Sequence, residues 1–215
     1  GHIINYAGAA TAQFRSSPTV VSGSVYVGSL DGKIYALNAI TGALNWSYDT
    51  GSAILSSPTV IANDGLYIGN RDGFLYKLRE TDGNLIWNSN TRVTPIGVGD
   101  THEFYSTPTV AKGMVFVTSG TSQPAPALPM TYGINATTGA KIWSNVHSGT
   151  TFAIGTVLYY NDKVYYGAGF FLECANANNG TLIWKTYLTR EHYSSPTYAS
   201  GRIYVGGESR SLYVV

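Results

Sequence analysis

Histidine and carboxylate side chains stand next to each other at two places in the chain, and these pairs are its strongest candidates for chemistry. His102 is followed by Glu103, and Glu191 is followed by His192. Imidazole and carboxylate groups are ligands of zinc and other divalent ions. Neighbouring residues in a strand, however, point to opposite faces of a sheet, and the spacing is not diagnostic of a metal site. We therefore expect ion pairs and hydrogen bonds at these positions and no bound metal.

Serines follow both histidines, and a serine beside a general base is the usual nucleophile of a hydrolase. Ser106 comes after His102, and Ser194 and Ser195 come after His192. Serines also occupy the matching positions 16, 17, 56 and 57, where no histidine precedes them. This repetition indicates a structural role, and the sequence predicts a protein without catalytic residues.

The elements that position these residues are five copies of one sequence unit. The segment SSPTV at 16–20 returns as SSPTV, STPTV, AIGTV and SSPTY at 56–60, 106–110, 153–157 and 194–198. Four copies close with Gly-x-x-x-Trp, which places tryptophan at positions 46, 87, 143 and 184. Self-similarity with a period near forty residues is typical of propellers and solenoids.

The first repeat predicts four antiparallel strands at 18–22, 24–29, 33–38 and 44–48. Asp31-Gly32 favours a tight hairpin between the second and third strands, and no helical periodicity occurs in the repeat. Four short strands in each repeat are typical of a propeller blade. The sequence therefore predicts an all-β fold, a β-propeller of four-stranded antiparallel blades.

The two ends of the chain match complementary parts of a fifth blade. Residues 3–8 resemble an outermost strand with Tyr6 in the place of tryptophan, and residues 211–215 match the third strand at 33–37. We expect one domain over residues 1–215, with five blades, of which the fifth is split between 1–8 and 192–215. A solenoid would need polar caps instead, and a fragment of a larger ring is the alternative left open.

Amino-acid composition limits the classes of partner and the cellular compartments that fit the sequence. Charged residues make up 12% of the chain and the formal net charge is +1, which supplies no basic field for nucleic acid. No run of 18 apolar residues is present, so we expect no membrane span. A polar but weakly charged surface favours an extracellular or periplasmic protein, with the cell surface included.

The pattern A-L-N-A-x-T-G-x-x-x-W at 36–46, with related runs at 133–143 and 174–184, resembles the tryptophan-docking repeat of the pyrroloquinoline-quinone-like β-propellers. That superfamily includes quinoprotein alcohol dehydrogenases and the outer-membrane assembly lipoprotein of the BAM complex. The resemblance implies docking between blades by a set of aromatic residues, namely Trp46, Trp87, Trp143, Trp184 and, by position, Tyr6. For the dehydrogenases it implies a quinone held against adjacent cysteines. Because Cys174 is the single cysteine, we expect no cofactor.

Departures from the repeat are concentrated on one face of the predicted disc. This insertion face carries the links between blades and the turns between second and third strands. The spacing from tryptophan to the next motif is constant at 46–58, 143–155 and 184–196 but is longer at 87–108, and residues 119–130 form a second insertion. Loops on a rigid scaffold often carry function. The residues predicted to form a binding surface are Arg15, Asp100, His102, Glu103, Tyr105, Arg190, Glu191, His192 and Tyr193.

These observations favour a non-catalytic binding or scaffold module that presents the insertion face to a protein or a glycan. One alternative is a carbohydrate-binding lectin, since tyrosine, tryptophan and asparagine are abundant. A second is a fragment of a larger quinoprotein-like dehydrogenase. The opposite face, which we call the turn face, carries the turns at 41–42, 138–139 and 179–180 and keeps to the repeat.

Overall fold

The repeats fold into five consecutive antiparallel sheets. The computed structural model describes residues 12–90, 102–121, 128–147, 155–188, 194–207 and 211–215. Sheet 1 contains β1 (Thr19–Val21), β2 (Ser24–Gly28), β3 (Lys33–Asn38) and β4 (Leu44–Asp49); sheet 2 contains β5 (Thr59–Ile61), β6 (Gly65–Gly69), β7 (Phe74–Leu78) and β8 (Leu85–Asn90). Sheet 3 contains β9 (His102–Phe104), β10 (Thr109–Ala111), β11 (Met114–Thr121), β12 (Met130–Asn135) and β13 (Lys141–Val146).

Sheet 4 contains β14 (Leu158–Tyr160), β15 (Lys163–Ala168), β16 (Phe171–Asn176) and β17 (Leu182–Tyr187), and sheet 5 contains β18 (Thr197–Ala199), β19 (Arg202–Gly207) and β20 (Ser211–Val214). Apart from β9, the strands of each sheet pair in chain order. The predicted all-β fold of four-stranded antiparallel units is confirmed. Within the described ranges, no helix is long and apolar enough to span a membrane.

The core lies between the sheets. We call the side of a sheet that faces the next sheet along the chain its forward face, and the other side its backward face. Four apolar clusters each join one forward face to the following backward face. Between sheets 1 and 2, for example, Tyr26 and Ile34 pack with Leu66 and Ile68. Alternate residues of a strand therefore pack into different seams, because successive side chains in a strand point to opposite faces of the sheet.

The first serine of the motif forms hydrogen bonds with the backbone of the second repeat strand in its own sheet. The Ser16 hydroxyl donates to the carbonyl of Gly28 at 3.1 Å and accepts from its N–H at 2.8 Å. Ser56, Ser106 and Ser194 make the same pair of bonds in their own sheets. These contacts supply the structural role that the sequence predicted for the repeated serines.

The threonine of the motif connects one sheet to the next. Thr19 Oγ1 donates to the carbonyl of Pro58 at 2.6 Å, and Thr59 Oγ1 donates to that of Pro108 at 2.5 Å. Each bond connects the threonine of one copy of the motif to the residue at the proline position of the next copy. The motif is therefore repeated because each copy binds the following copy.

The fourth copy of the motif is displaced by two residues from the predicted alignment at 153–157. Thr109 Oγ1 donates to the carbonyl of Val157, so Val157 stands where Pro58 and Pro108 stand. Leu158 pairs with Tyr165 as Thr19 pairs with Tyr26. The prediction of Gly155 as the proline equivalent is wrong, because the link after Trp143 is two residues longer than the sequence pattern suggested.

Sheet 5 has three strands among the described residues. β20 pairs with β19, with Val205 opposite Tyr213, and is therefore the third strand, as residues 211–215 were predicted to be. Residues 1–8, predicted to add the fourth strand and to close a five-bladed ring, lie outside the described residues. The number of blades and their closure stay predictions.

Candidate functional site

Sheet 3 carries an additional strand on the insertion face. β9 pairs with the far end of β11, with Phe104 opposite Ser119 and Glu103 opposite Gly120. In sheet 1 the same contact is a single bridge between Phe14 and Ser29. The insertion after Trp87 therefore ends in a strand that lengthens sheet 3 at this face.

Phe104 anchors the additional strand in the core. Its side chain is fully buried and packs edge-on against Tyr132, with ring centroids 6.0 Å apart. A Cβ at Gly69 would lie 2.4 Å from the Cβ of Phe104, so this approach is possible because residue 69 has no side chain. Ile54 occupies the equivalent position under Gly28. In both seams, an apolar side chain from the link between two sheets therefore packs against a glycine of the preceding sheet.

Glu103 is the best-defined polar residue of the predicted binding surface. Its side chain is 6% exposed, and Oε1 accepts a hydrogen bond from Nη2 of Arg71 at 2.9 Å. The hydroxyl of Tyr105 donates to the other carboxylate oxygen. A buried carboxylate costs free energy unless charged and hydrogen-bonded partners surround it. Arg71 and Tyr105 supply those partners, and they fix the end of the insertion to sheet 2.

The structure describes only some of the other residues that the sequence singled out. Arg15 is exposed and donates to Oε1 of Gln13 at 3.4 Å. The backbone of His102 lies in β9. The residues that fall outside the described part of the chain are Tyr6, Asp100, Arg190, Glu191, His192 and Tyr193. The structure therefore brings together Glu103 and Tyr105 of the predicted set, and the grouping of the others stays a prediction.

Arg71 was not predicted as part of this surface. It lies in the turn between β6 and β7, where sheet 1 has Leu30. The available signal was a charged residue in a hairpin turn on the same face as the insertion. Such residues are usually solvated, so the sequence alone does not identify its partner.

His147 is buried on the insertion side of the seam between sheets 3 and 4. Its Nε2 lies 2.9 Å from Oγ1 of Thr131, and its ring stacks on Tyr166 with centroids 5.4 Å apart. Nδ1 is buried and has no hydrogen-bond partner among the described residues. Burial lowers the pKa of His147 to about 3, because the charged imidazolium would lose its hydration. His147 is therefore a neutral packing residue near pH 7.

This burial predicts a pH dependence of stability. The folded-state pKa lies below the unfolded value of about 6.5, so the unfolded chain binds more protons as the pH falls below that value and the folded state loses stability. Between pH 7.5 and 5.5 the loss from this one group should be about 1.4 kcal/mol. Urea unfolding at both pH values would measure it. The His147→Gln variant should lose this part of the pH dependence, and an unchanged dependence in the variant would contradict the assignment.

The described residues contain no group of three or more histidine, cysteine, aspartate or glutamate side chains placed to hold a metal ion. Cys174 is fully buried in the seam between sheets 4 and 5, where it packs with Leu172 and Ile203. A quinone held against adjacent cysteines does not fit this environment. The arrangement around Glu103 can position a loop, and its charged groups are already paired with each other.

Tryptophan contacts repeat across the seams. Nε1 of Trp46, Trp87 and Trp143 donates to the carbonyls of Glu80, Ala136 and Ala177 in the following sheet, at 3.0, 3.1 and 2.8 Å. Each indole lies against the glycine of the next Gly-x-x-x-Trp motif, which is Gly83, Gly139 or Gly180. Trp184 packs in the seam between sheets 4 and 5. The glycine of each Gly-x-x-x-Trp motif therefore lies against the tryptophan of the preceding sheet.

Comparison with known proteins agrees with this geometry. The family model described as outer membrane protein assembly factor BamB matches residues 6–123 and 130–215. The tetrathionate hydrolase of Acidithiobacillus ferrooxidans is 28% identical over 180 residues, which cover 78% of this chain and 36% of that protein.

Two solved structures show the same fold. BamB from Moraxella catarrhalis has a TM-score of 0.72 at 16% identity, over 93% of this chain and 57% of that chain. The quinohemoprotein alcohol dehydrogenase of Comamonas testosteroni has a TM-score of 0.76 at 15% identity, over 96% of this chain and 42% of that chain. The chain thus spans 36% to 57% of the length of these three proteins. With its repeated four-stranded sheets and a family match over most of its length, this chain is a PQQ-like β-propeller and belongs to the BamB outer membrane protein assembly factor family.

Proposed function

We propose that the protein is a non-catalytic scaffold that works outside the cytoplasm, in the periplasm or at the cell surface, and binds another protein through its insertion face. The observation that carries this proposal is the contrast between the two faces. The insertion face is enlarged beside sheet 3, whereas the turn face repeats the same asparagine-stabilised turn in sheets 1, 3 and 4. Membership of a family described as an assembly factor supports a protein partner and a place in the cell envelope.

Hydrogen bonds within the turn explain three of the turns on the turn face. Asn38 Oδ1 accepts from the N–H groups of Ile40 and Thr41, both at 2.9 Å. Asn135 and Asn176 make the equivalent bonds in sheets 3 and 4. Asparagine side chains stabilise turns in this way. Chain reversal alone accounts for these residues, so they need no ligand.

The insertion face has a rigid base on which loops can be presented. Phe104 is buried, and Glu103 is bonded to both Arg71 and Tyr105. A loop held at its base loses less conformational freedom when a partner binds, which lowers the cost of association. These contacts support a role in display and supply no unpaired nucleophile or base.

Site-specific photo-crosslinking in the native host tests the location of the partner. A photoreactive amino acid is placed at Arg15, which is exposed on the insertion face, or at Ile40, which is 83% exposed on the turn face. We expect a discrete protein adduct from position 15 and none from position 40. Ile40 is the matched control, because its side chain is exposed enough to react with any protein that contacts the turn face. Adducts from position 40 alone would place the interface on the turn face and refute the proposal.

One observation favours the lectin alternative. Tyr160 and Tyr198 stack with ring centroids 3.7 Å apart on two adjacent inner strands, and Tyr160 is 41% exposed. Exposed aromatic rings of this kind are large amphipathic contact surfaces. A glycan array separates this candidate from the protein scaffold, since specific glycan binding that Tyr160→Ala removes would favour the lectin.

A further inference from the structure

Two tyrosines face each other across the seam between sheets 4 and 5. Tyr160 lies on β14 and Tyr198 lies on β18, and their rings stack with centroids 3.7 Å apart and an angle of 19° between the ring planes. Tyr160 is 41% exposed, and Tyr198 is half-buried. The two inner strands therefore meet through a pair of nearly parallel phenol rings.

The repeat places aliphatic side chains at these two positions elsewhere. Strand register assigns Val21 and Val60 to them in the seam between sheets 1 and 2, and Ile61 and Val110 in the next seam. Between sheets 3 and 4 the first of the two positions is Ala111. Among the described residues, two phenols therefore meet in one seam, and packing alone does not require them, since aliphatic side chains occupy both positions in two other seams.

The hydroxyl groups of the two tyrosines lie at the same end of the stack. A hydrogen bond with the side chain of Tyr198 raises the pKa of Tyr160, and the charge interaction between the two groups raises it further. Tyr160 is therefore a neutral phenol near pH 7. Because the rings are stacked with their hydroxyl groups together, the ortho carbons beside one hydroxyl face the ortho carbons beside the other. These are the carbons through which two phenoxyl radicals couple.

We propose that Tyr160 and Tyr198 form a site of oxidative modification at which hydrogen peroxide, acting through a haem peroxidase, joins the two residues as dityrosine. Each phenol loses one electron and one proton, and the two phenoxyl radicals form a carbon–carbon bond between ortho carbons. The two ortho hydrogens then move to the oxygens as protons, which restores both hydroxyl groups. The peroxide takes up the two electrons and the two protons and becomes two molecules of water.

The new bond makes the contact between sheets 4 and 5 covalent. It closes a loop of the chain between residues 160 and 198, which restricts the unfolded state in the way that a disulfide does. Tyr160 immediately precedes the turn between β14 and β15, which lies on the turn face. The modification is therefore separate from the insertion face and does not depend on the partner proposed for that face.

Peptide mapping of the dilute chain after treatment with hydrogen peroxide and a haem peroxidase tests the proposal. Trypsin should release peptides 142–163 and 191–202 joined to each other, with the loss of two hydrogen atoms and with the fluorescence of dityrosine. The joined peptides should survive thiol reduction. Tyr160→Phe and Tyr198→Phe should each abolish this product, and both variants keep an aromatic ring in the stack, so the fold is retained.

Tyr187→Phe is the matched control. Tyr187 is more exposed, at 63%, but its ring packs with Phe170 and Phe171, which form no phenoxyl radicals, so this variant should give the product in wild-type yield. Thiols reduce phenoxyl radicals, and the reaction is therefore repeated with Cys174→Ala, since Ala36 is fully buried at the equivalent position of sheet 1.

Two results would overturn the proposed site. The first is the absence of the joined peptides from both the wild type and Cys174→Ala, or an equal yield of them in Tyr160→Phe. The second is a product that joins Tyr187 of different molecules in place of this pair, because exposure alone would then decide where the chain is oxidised.

Discussion

Replacing Trp143 with alanine should lower the free energy of unfolding by about 3–5 kcal/mol, the range for truncating a large buried aromatic side chain. The indole is 7% exposed and lies between two glycines, Gly133 of its own sheet and Gly180 of the next. Its Nε1 also donates to the carbonyl of Ala177 at 2.8 Å. The truncation therefore leaves a cavity between two sheets together with an unpaired carbonyl, and the walls of rigid sheets cannot close it.

Chemical denaturation of three variants separates these contributions. Ile142 precedes Trp143 in β13 and is 48% exposed, so Ile142→Ala should change stability by about 0.5 kcal/mol or less. Trp143→Phe keeps most of the apolar contact and loses the hydrogen bond, with an expected intermediate cost. Equal denaturation midpoints for Trp143→Ala and Ile142→Ala would show that the indole contributes nothing to the seam.

The sequence predicted the strands well where local signals agree. In the first repeat, the strand predicted at 33–38 has the same bounds as β3. The strand predicted at 44–48 ends one residue before the end of β4. Asp31-Gly32 and Thr41-Gly42 mark the turns, because Gly32 and Gly42 have φ angles of +87° and +71° that glycine adopts at little cost. Strands and turns thus depend on residues close in sequence.

Prediction was poorest where distant residues decide the structure. The motif of the fourth repeat was misplaced by two residues, because Thr156 and Val157 resemble the Thr-Val of the other copies, whereas the hydrogen bond from Thr109 fixes the true register. Lys77 shows the same limit. It stands opposite Trp87 in a seam and is 5% exposed, and its Nζ bonds to Asp64 at 2.7 Å. A lysine at a core position can be understood only when its partner is known.

The candidate site was predicted in part for the same reason. Repeat spacing identified the enlarged face, and Glu103 and Tyr105 lie together there. Their partner Arg71 comes from the preceding repeat, thirty-two positions away in the chain, and no periodicity connects it with Glu103. The sequence can thus indicate which face departs from the repeat, whereas the side chains that stabilise the departure depend on how neighbouring sheets meet.

The contact between tryptophan and glycine also predicts how glycine substitutions rank. Gly180 has φ +72° and Gly23 has φ +77°, so alanine at either position costs about 1–2 kcal/mol of left-handed backbone strain. A Cβ at Gly180 would lie 2.7 Å from Cδ2 of Trp143, whereas a Cβ at Gly23 would have no atom within 4 Å.

Gly180→Ala should therefore cost about 1–3 kcal/mol more than Gly23→Ala, which is the usual cost of overpacking a well-packed site. A double-mutant cycle identifies the cause of this difference. In a Trp143→Ala background the added methyl group meets no indole, so Gly180→Ala should then cost only as much as Gly23→Ala does. Denaturant unfolding of the four proteins in the cycle measures both values. If the cost of Gly180→Ala were the same with and without the indole, steric contact between the two residues would not be the reason that glycine occupies this position.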